Sequence, residues 1–469
     1  MNTIRTWIEP VVVGSQVAAS FYDTGLLMAV RNHYNQTAMF SNSSSEDEVQ
    51  KAISNFYIIY NVVMGLSSML SAYLLAKLGE KISAKITICV PMAGYLVSRL
   101  FLLFVILWDW PIEVIFGSAA FNGLTGWFTT YWAGVMAWAS KCSSESNRSF
   151  RLIIIEMVYG LAGFVGSLIS GHIFINSNLA SRQGVILACC SSSCYAFCVF
   201  YSIFILRIPE PGEICSEDTN DEHKSIQENL NDPINSEDTE QSRLLDNASI
   251  TNSTSNIQLN VSTSKIILIT MFTSAILYNV ASIGTDDIIN IFVLKKPLNW
   301  GPVEVGYGYA ASYVTCITSF VGVYFFSKCF GDLGLITVGV LSFSSGILIM
   351  AFVQSTYMYY IARAVMMFSL IPTPTIRSVI SKHVQGSEYG KIFVFLQLGI
   401  EIVGVSSSAG FNKLYQATLD WYSGFCFSVL SALGFISTIP IIIAACNQGS
   451  RTHNRGLLSG QTDYGTTIN

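Results

Sequence analysis

The chain has 469 residues, about half of them apolar and only 12% charged. A soluble domain carries about twice that share of charge, so the composition argues against a soluble enzyme or a nucleic-acid-polymer binder and for a chain embedded in membrane lipid. The net charge of −5 is local, because the segment from Arg207 to Ser264 holds twelve acids against Arg207, Lys224 and Arg243 and leaves the remainder mildly basic.

In chain order, hydropathy predicts twelve membrane spans of roughly 20 residues each. They cover residues 8–30, 53–76, 86–107, 111–139, 151–174, 183–206, 265–294, 305–326, 335–353, 357–380, 391–412 and 423–445. The first apolar run begins near Ile8 and is about 23 residues long, which suits a retained span better than the short core of a signal peptide. Six spans precede the acidic insert and six follow it. The expected fold is therefore an all-α membrane protein with twelve transmembrane helices in two six-helix halves, the layout of a major-facilitator transporter. The expected organisation is residues 1–206 as the first half, 207–264 as a linker, 265–446 as the second half and 447–469 as a tail.

The loops set an expected orientation. With both termini in the cytosol, the inner loops and tails hold twelve Lys and Arg residues and the outer loops six, which satisfies the positive-inside rule. The first loop then lies outside, and its sequons at Asn35 and Asn42 are the expected glycosylation sites. The linker lacks aromatic residues and is rich in Glu, Asp, Ser and Asn, so it is expected to be disordered. Inside it "EQSRLL" has the form of an acidic dileucine signal for sorting adaptors, through Glu240, Leu244 and Leu245. Patterns of this length also arise by chance in acidic loops. The expected location is the plasma membrane, with the endosomal or lysosomal membrane as the alternative.

No cysteine falls in an expected outer loop, so no extracellular disulfide framework is expected. Cys190, Cys194 and Cys198 share one helical face, where small residues suit helix packing better than a metal site. The five histidines are scattered, and no nucleophile–base pattern and no phosphate-binding loop is present. The chain is expected not to be an enzyme and to need no cofactor. A proton or the solute's own gradient would drive it.

Charges inside spans mark function by default, because an arginine or aspartate at a helix centre costs about 2.5–3.5 kcal/mol on insertion scales. Those present are Asp23, Arg99, Glu156, Asp286, Asp287, Arg363, Arg377 and Glu401. Arg377 follows Pro372 and Pro374, which are expected to bend the tenth span and act as a hinge. Its planar fork suits a carboxylate or phosphate; the alternative is that it reaches back to the inner surface. Glu156 is a candidate proton carrier, the alternative being a hydrogen bond to a neighbouring helix. Asp286 and Asp287 point about 100° apart, so one of them is expected to face the cavity. Arg99 and Arg363 are expected to pair with acids or helix carbonyls more than to hold substrate.

Several segments resemble the proton-coupled folate transporter family of solute carriers: "RLIIIEMVYGLAG" (Arg151 to Gly163), "NWGPVEVGYG" (Asn299 to Gly308), "PTIRSVISKHVQGSEYGK" (Pro374 to Lys391) and "FNKLYQATLDWYSGF" (Phe411 to Phe425). The opening "RTWIEPVVVGSQVAASFYDTGLL" resembles one branch of it closely. The resemblance implies a major-facilitator fold and uptake of a small anionic organic solute, of the folate, antifolate, muropeptide or cyclic-dinucleotide kind. It implies proton coupling through Glu156 and substrate and proton binding through Arg377, and a span-7 aspartate of the family matches Asp287. Asp23 and Arg363, as charges inside spans, are further transport candidates. Two positions depart from the family. Ser282 stands where the folate branch has a histidine. The inner-loop motif between spans 2 and 3 keeps Glu80, Lys81 and Lys85 but has Ser83 and Ala84. Facilitated diffusion without protons, and a transporter-like receptor or scaffold, are the alternative functions.

Overall fold

The computed structural model describes residues 7–40, 46–81, 85–141, 148–175, 184–206, 246–383 and 389–448, and all regular structure among them is helical. The first half comprises α1 (Glu9–Phe40), α2 (Glu46–Lys81), α3 (Ile86–Trp108), α4 (Val114–Leu124), α5 (Trp127–Lys141), α6 (Arg148–Ile175) and α7 (Val185–Phe200), the last ending in a π turn, Tyr201–Ile205. The second comprises α8 (Asp246–Phe292), α9 (Pro302–Phe326), α10 (Asp332–Ala351), α11 (Thr356–Val365), α12 (Pro372–His383), α13 (Tyr389–Thr418) and α14 (Phe425–Ile436).

Eight spans among the described residues are long and apolar enough to cross a membrane. The other four expected spans differ for physical reasons. The α1 and α13 helices carry buried polar residues along their inner faces, among them Ser15, Gln16, Ser20 and Thr24 on α1 and Ser407, Ser408 and Asn412 on α13. The fourth and tenth spans are broken into α4–α5 and α11–α12.

The break between α4 and α5 falls at Gly126 (φ 99°) and Trp127 (φ 43°). Glycine enters the left-handed region freely, but a tryptophan there is strained, and such strain concentrates at functional sites. The tenth span breaks before its prolines. Residues 366–371 are irregular, and α12 starts at Pro372. A proline at a helix start lacks only an N–H that would be orphaned anyway. Pro372 and Pro374 therefore open a new helix; they do not bend a continuous one.

Irregular backbone at membrane depth survives only where protein satisfies its polar groups. Here hydroxyls do so. Ser342 of α10 donates to the Val365 carbonyl (2.6 Å) and accepts from the Phe368 N–H (3.2 Å). Ser319 of α9 donates to the Met367 carbonyl (3.1 Å) and accepts from the Leu370 N–H (3.2 Å). Tyr278 of α8 donates to the Ser369 carbonyl.

The helix α8 begins at Asp246, inside the segment assigned to a disordered linker, because a membrane helix once nucleated adds residues at little cost. The remainder of that linker, with Glu240, Leu244 and Leu245, lies outside the described residues, as does Asn42.

Within the first half α1 packs on α6 and α7, and α3 on α7, α4 and α5; within the second α8 packs on α13 and α14, and α10 on α11, α12 and α14. The halves meet along two seams, α6 against α9 and α2 against α13. Small residues permit the first: a Cβ added at Gly171 would lie 2.4 Å from the Pro302 carbonyl oxygen. The larger apolar core crosses both halves, joining Leu27, Phe56 and Phe174 to Ile289, Phe292 and Trp300. The smaller core stays in the first half, around Ile8, Ile88, Trp138 and Tyr195.

Candidate functional site

A cavity of about 350 Å³ lies between the halves, lined by residues of every helix from α1 to α9. Its size falls within the range of small-molecule sites, roughly 300–1,000 Å³.

Two sequence candidates stand in its wall, Asp23 on α1 and Asp287 on α8. The Asp23 side chain is exposed to the open space of the cavity. Asp287 sits beside Asn61 and Ser408, and its Oδ2 is buried without a hydrogen-bond partner. The neighbouring Asp286 lies in the field of Arg363.

The cation in the wall is Arg99, a residue expected to be structural. It is only 5% exposed. Its guanidinium carbon lies 3.9 Å from the ring centre of Tyr22, 4.8 Å from that of Tyr95 and 4.9 Å from that of Tyr195. Aromatic faces attract a desolvated guanidinium by up to about 2 kcal/mol each. Tyr195 also takes a hydrogen bond from it, but part of its capacity is left unspent: Nε and Nη1 are buried without partners. A buried charged donor left unpaired is costly, and an anion is the chemistry that would satisfy this one. The signal in the sequence was the pair Tyr95 and Arg99, four apart on one helical face.

Arg363 is 8% exposed and lies in a small recess that shares Asn290 and Tyr309 with the cavity. Its Nε donates to the Tyr359 hydroxyl (3.0 Å). Arg377 does not line the cavity. Its Nη2 donates to Gln397 Oε1 (2.9 Å), Gln397 donates to Glu401 Oε1 (3.0 Å), and Thr129 of the first half donates to the same oxygen (2.9 Å). This relay ties α12 to α5 through α13. Glu156 faces Cys316 at the α6–α9 seam, and no hydrogen bond or ion pair holds it among the described residues. Asn35 is exposed near the end of α1. Lys85 precedes α3; the side chains of Glu80 and Lys81 lie outside the described residues. Cys198 is buried, and its thiol donates to the Val11 carbonyl (3.7 Å), a packing role.

Bonds between the halves gather on the face that carries the α1–α2 loop. Lys295 pairs with Asp47, Lys296 with Glu46 (2.7 Å) and Lys51 with Asp420 (3.3 Å). The bond to Glu46 holds the exposed Lys296 ammonium above its ordinary pKa. Arg31 donates to the Trp300 carbonyl and to Asn299 Oδ1 (2.7 Å). Gln50 donates to the Ile291 carbonyl and the Tyr415 hydroxyl (3.2 Å). The cavity is thus sealed on the first-loop face by an apolar floor under a polar clasp.

A central cavity between two six-helix halves, closed on one face, is the design of a secondary transporter. The family model of the Major Facilitator Superfamily matches residues 45–285. The D-xylose-proton symporter has the same fold, with a TM-score of 0.63 at 9% identity over 92% of this chain and 96% of that one. The chain therefore belongs to the major facilitator superfamily. Within it, the chain belongs to solute carrier family 46: it is 45% identical to solute carrier family 46 member 2 of Mus musculus over 96% of this chain and 94% of the mouse protein. Its resemblance is thus to the thymic stromal cotransporter branch. A more distant relative is the lysosomal proton-coupled steroid conjugate and bile acid symporter SLC46A3 of Gallus gallus, 27% identical over 86% of this chain and 85% of that protein. The chain is a multi-pass membrane transporter and not an enzyme.

Proposed function

We propose that this protein imports a small anionic organic solute together with protons, through the central cavity and from its first-loop face. The observation that carries the reading is Arg99, a guanidinium with two unspent donors in the wall of a tyrosine-lined cavity. Such a fork receives a carboxylate, sulfate or phosphate, and the rings receive an apolar or planar body. Glu156 and Asp287, with Asp23, are the acids available for proton coupling, and Arg377 acts through its relay to Glu401 on the movement of the halves.

The Lys/Arg bias supports a first-loop face turned outward at the plasma membrane. The alternative, an endosomal or lysosomal membrane, is supported by the dileucine pattern and by the name of the chicken relative. In both places the first-loop face is turned away from the cytosol, so the direction of import is the same. Folate-like, muropeptide and cyclic-dinucleotide anions are the proposed solutes, with steroid conjugates and bile acids added from the relative's name.

The test is uptake of labelled members of these classes at pH 5.5 and 7.4 in cells expressing the wild type, Arg99→Met and Glu156→Gln at matched surface levels. Acid-stimulated uptake of one compound, lost in Arg99→Met, is expected. Wild-type uptake indifferent to pH would instead support facilitated diffusion, the reading that Ser282 in place of a histidine favours. Absence of all uptake at full surface expression would refute the anion-importer reading.

A further inference from the structure

Resting on the reading of proton-coupled anion import, we propose that Asp23 is the proton-carrying residue, and that the substrate anion and the Asp23 carboxylate compete for Arg99.

The geometry begins with an unused attraction. Asp23 follows Tyr22, whose ring is the nearest of the three under the Arg99 guanidinium. The Asp23 charge acts on Arg99, yet no direct ion pair joins them. Both groups stand in the cavity wall, the carboxylate exposed and two donors of Arg99 buried without partners. An anion that reaches the guanidinium takes those donors.

The other groups around Asp23 leave it the choice of partner. Its charge reaches Tyr57 and Tyr60 on α2, and Tyr95 and Arg99 on α3. It also reaches Tyr159 on α6, Tyr195 on α7, and Tyr309 and Tyr313 on α9. Phenols are neutral at physiological pH, so Arg99 is the cation among them. Asp287 lines the same cavity from the second half, where Asn61 and Ser408 attend it. Glu156 stands outside the cavity wall.

Charge balance then couples the two passengers. Empty, the pair of Asp23 carboxylate and Arg99 guanidinium is neutral. A bound monoanion leaves two negative charges beside one positive between protein walls, which is unfavourable. A proton from water on the first-loop side, bonded to an Asp23 oxygen, restores neutrality. When the anion leaves at the opposite face, Arg99 again draws the carboxylate, and the O–H bond breaks to release the proton there. One proton thus accompanies one monoanion, and the cycle moves no net charge.

Removing the carboxylate uncouples them. With Asp23→Asn the site is cationic when empty and neutral when filled, so the cycle moves the anion's charge alone. The experiment uses cells expressing the full chain, with membrane potential set by potassium and valinomycin, and a tritiated monoanionic bile acid as probe, or a labelled antifolate if the bile acid is not taken up. For the bile acid, wild-type uptake is expected to rise at acidic outside pH and to ignore the potential. In Asp23→Asn the ratio of uptake at pH 5.5 to 7.4 is expected to fall to near one, and accumulation to drop about fiftyfold per 100 mV of inside-negative potential. Asp23→Glu, which restores a carboxyl, is expected to recover the pH ratio, and Asp23→Ser provides a second uncoupled variant if Asp23→Asn fails to reach the surface. Retention of the wild-type pH ratio in Asp23→Asn or Asp23→Ser overturns the proposal, as does loss of that ratio in Asp287→Asn or Glu156→Gln but not in Asp23→Asn. Wild-type uptake without pH dependence refutes the symport reading itself, a distinct outcome.

Discussion

Replacing Arg99 by methionine tests the anion site directly. Methionine fills the space between the tyrosine rings with a flexible apolar chain and removes a buried charge whose desolvation opposes folding. The loss of three cation–π contacts is thereby offset, and the variant is expected to reach the membrane. The substrate, by contrast, loses its partner. Nε and Nη1 are both free, and each charge-assisted bond contributes about 1.5–3 kcal/mol net. Two such bonds amount to about 3–6 kcal/mol, a loss of roughly a hundredfold to ten-thousandfold in affinity. Arg99→Lys keeps the charge but loses the fork, and about tenfold is expected. The assay is the concentration dependence of labelled uptake, normalised to surface biotinylation, with Arg377→Met alongside. Arg377 bonds to Gln397 and not to the cavity, so its loss should lower the maximal rate with little effect on apparent KM. Wild-type KM in Arg99→Met, or a KM defect confined to Arg377→Met, would refute the assignment.

Other outcomes follow from the seams and the breaks. Gly171→Val should wedge the first-loop face, because its Cβ would lie 2.4 Å from a backbone oxygen; cavity labelling by an impermeant thiol reagent at an introduced Ser15→Cys should rise and uptake should fall at least tenfold. Asp47→Lys should weaken the clasp by confronting Lys295, and the double exchange Asp47→Lys with Lys295→Asp should recover uptake that either single change loses. Ser342→Ala leaves a carbonyl and an N–H of the tenth-span break without partners, costing about 2–6 kcal/mol in all, and should lower the detergent-solubilised Tm by several degrees. Asn35→Gln together with Asn42→Gln should abolish a glycosidase-sensitive mobility shift if the first-loop face is translocated during synthesis.

The long apolar runs made the helical layout legible, because a membrane helix needs only length and hydropathy. The breaks were legible in part. Pro372 and Pro374 announced an interruption, but a proline starts a helix as readily as it bends one, and the hydroxyls of Ser319 and Ser342 that tolerate the gap come from distant helices. The break at Gly126 was hidden inside the continuous run 111–139, since Trp127 is apolar and hydropathy does not register its strained backbone. Asp23 and Asp287 could be singled out because a carboxylate in a span is conspicuous. Arg99 was equally conspicuous but its role was not, because Tyr22 and Tyr195 approach it from other helices, and that convergence is a property of packing.

The distribution of bonds also divides the labour of transport. The proposed anchor of the anion, Arg99, and its proposed rival, Asp23, belong to the first half, while Asp287 belongs to the second. A substrate held at Arg99 alone would favour neither state of the cavity; a ligand shifts an equilibrium only by binding one state better than the other. The second half must therefore add contacts in one state, and Tyr309, Tyr313 and Asp287 line the wall from which it can do so. Tyr313 already receives a bond from Gln16 of α1 across the seam, and Glu401 receives one from Thr129. Both links lie away from the first-loop clasp. On the proposed reading, opening the clasp would rotate the halves about these two links, and Glu401, tied in turn to Arg377 through Gln397, would be where movement of the halves meets the tenth-span break. Arg377 would then serve transport without touching the solute, by holding α12 to the helix that carries the link.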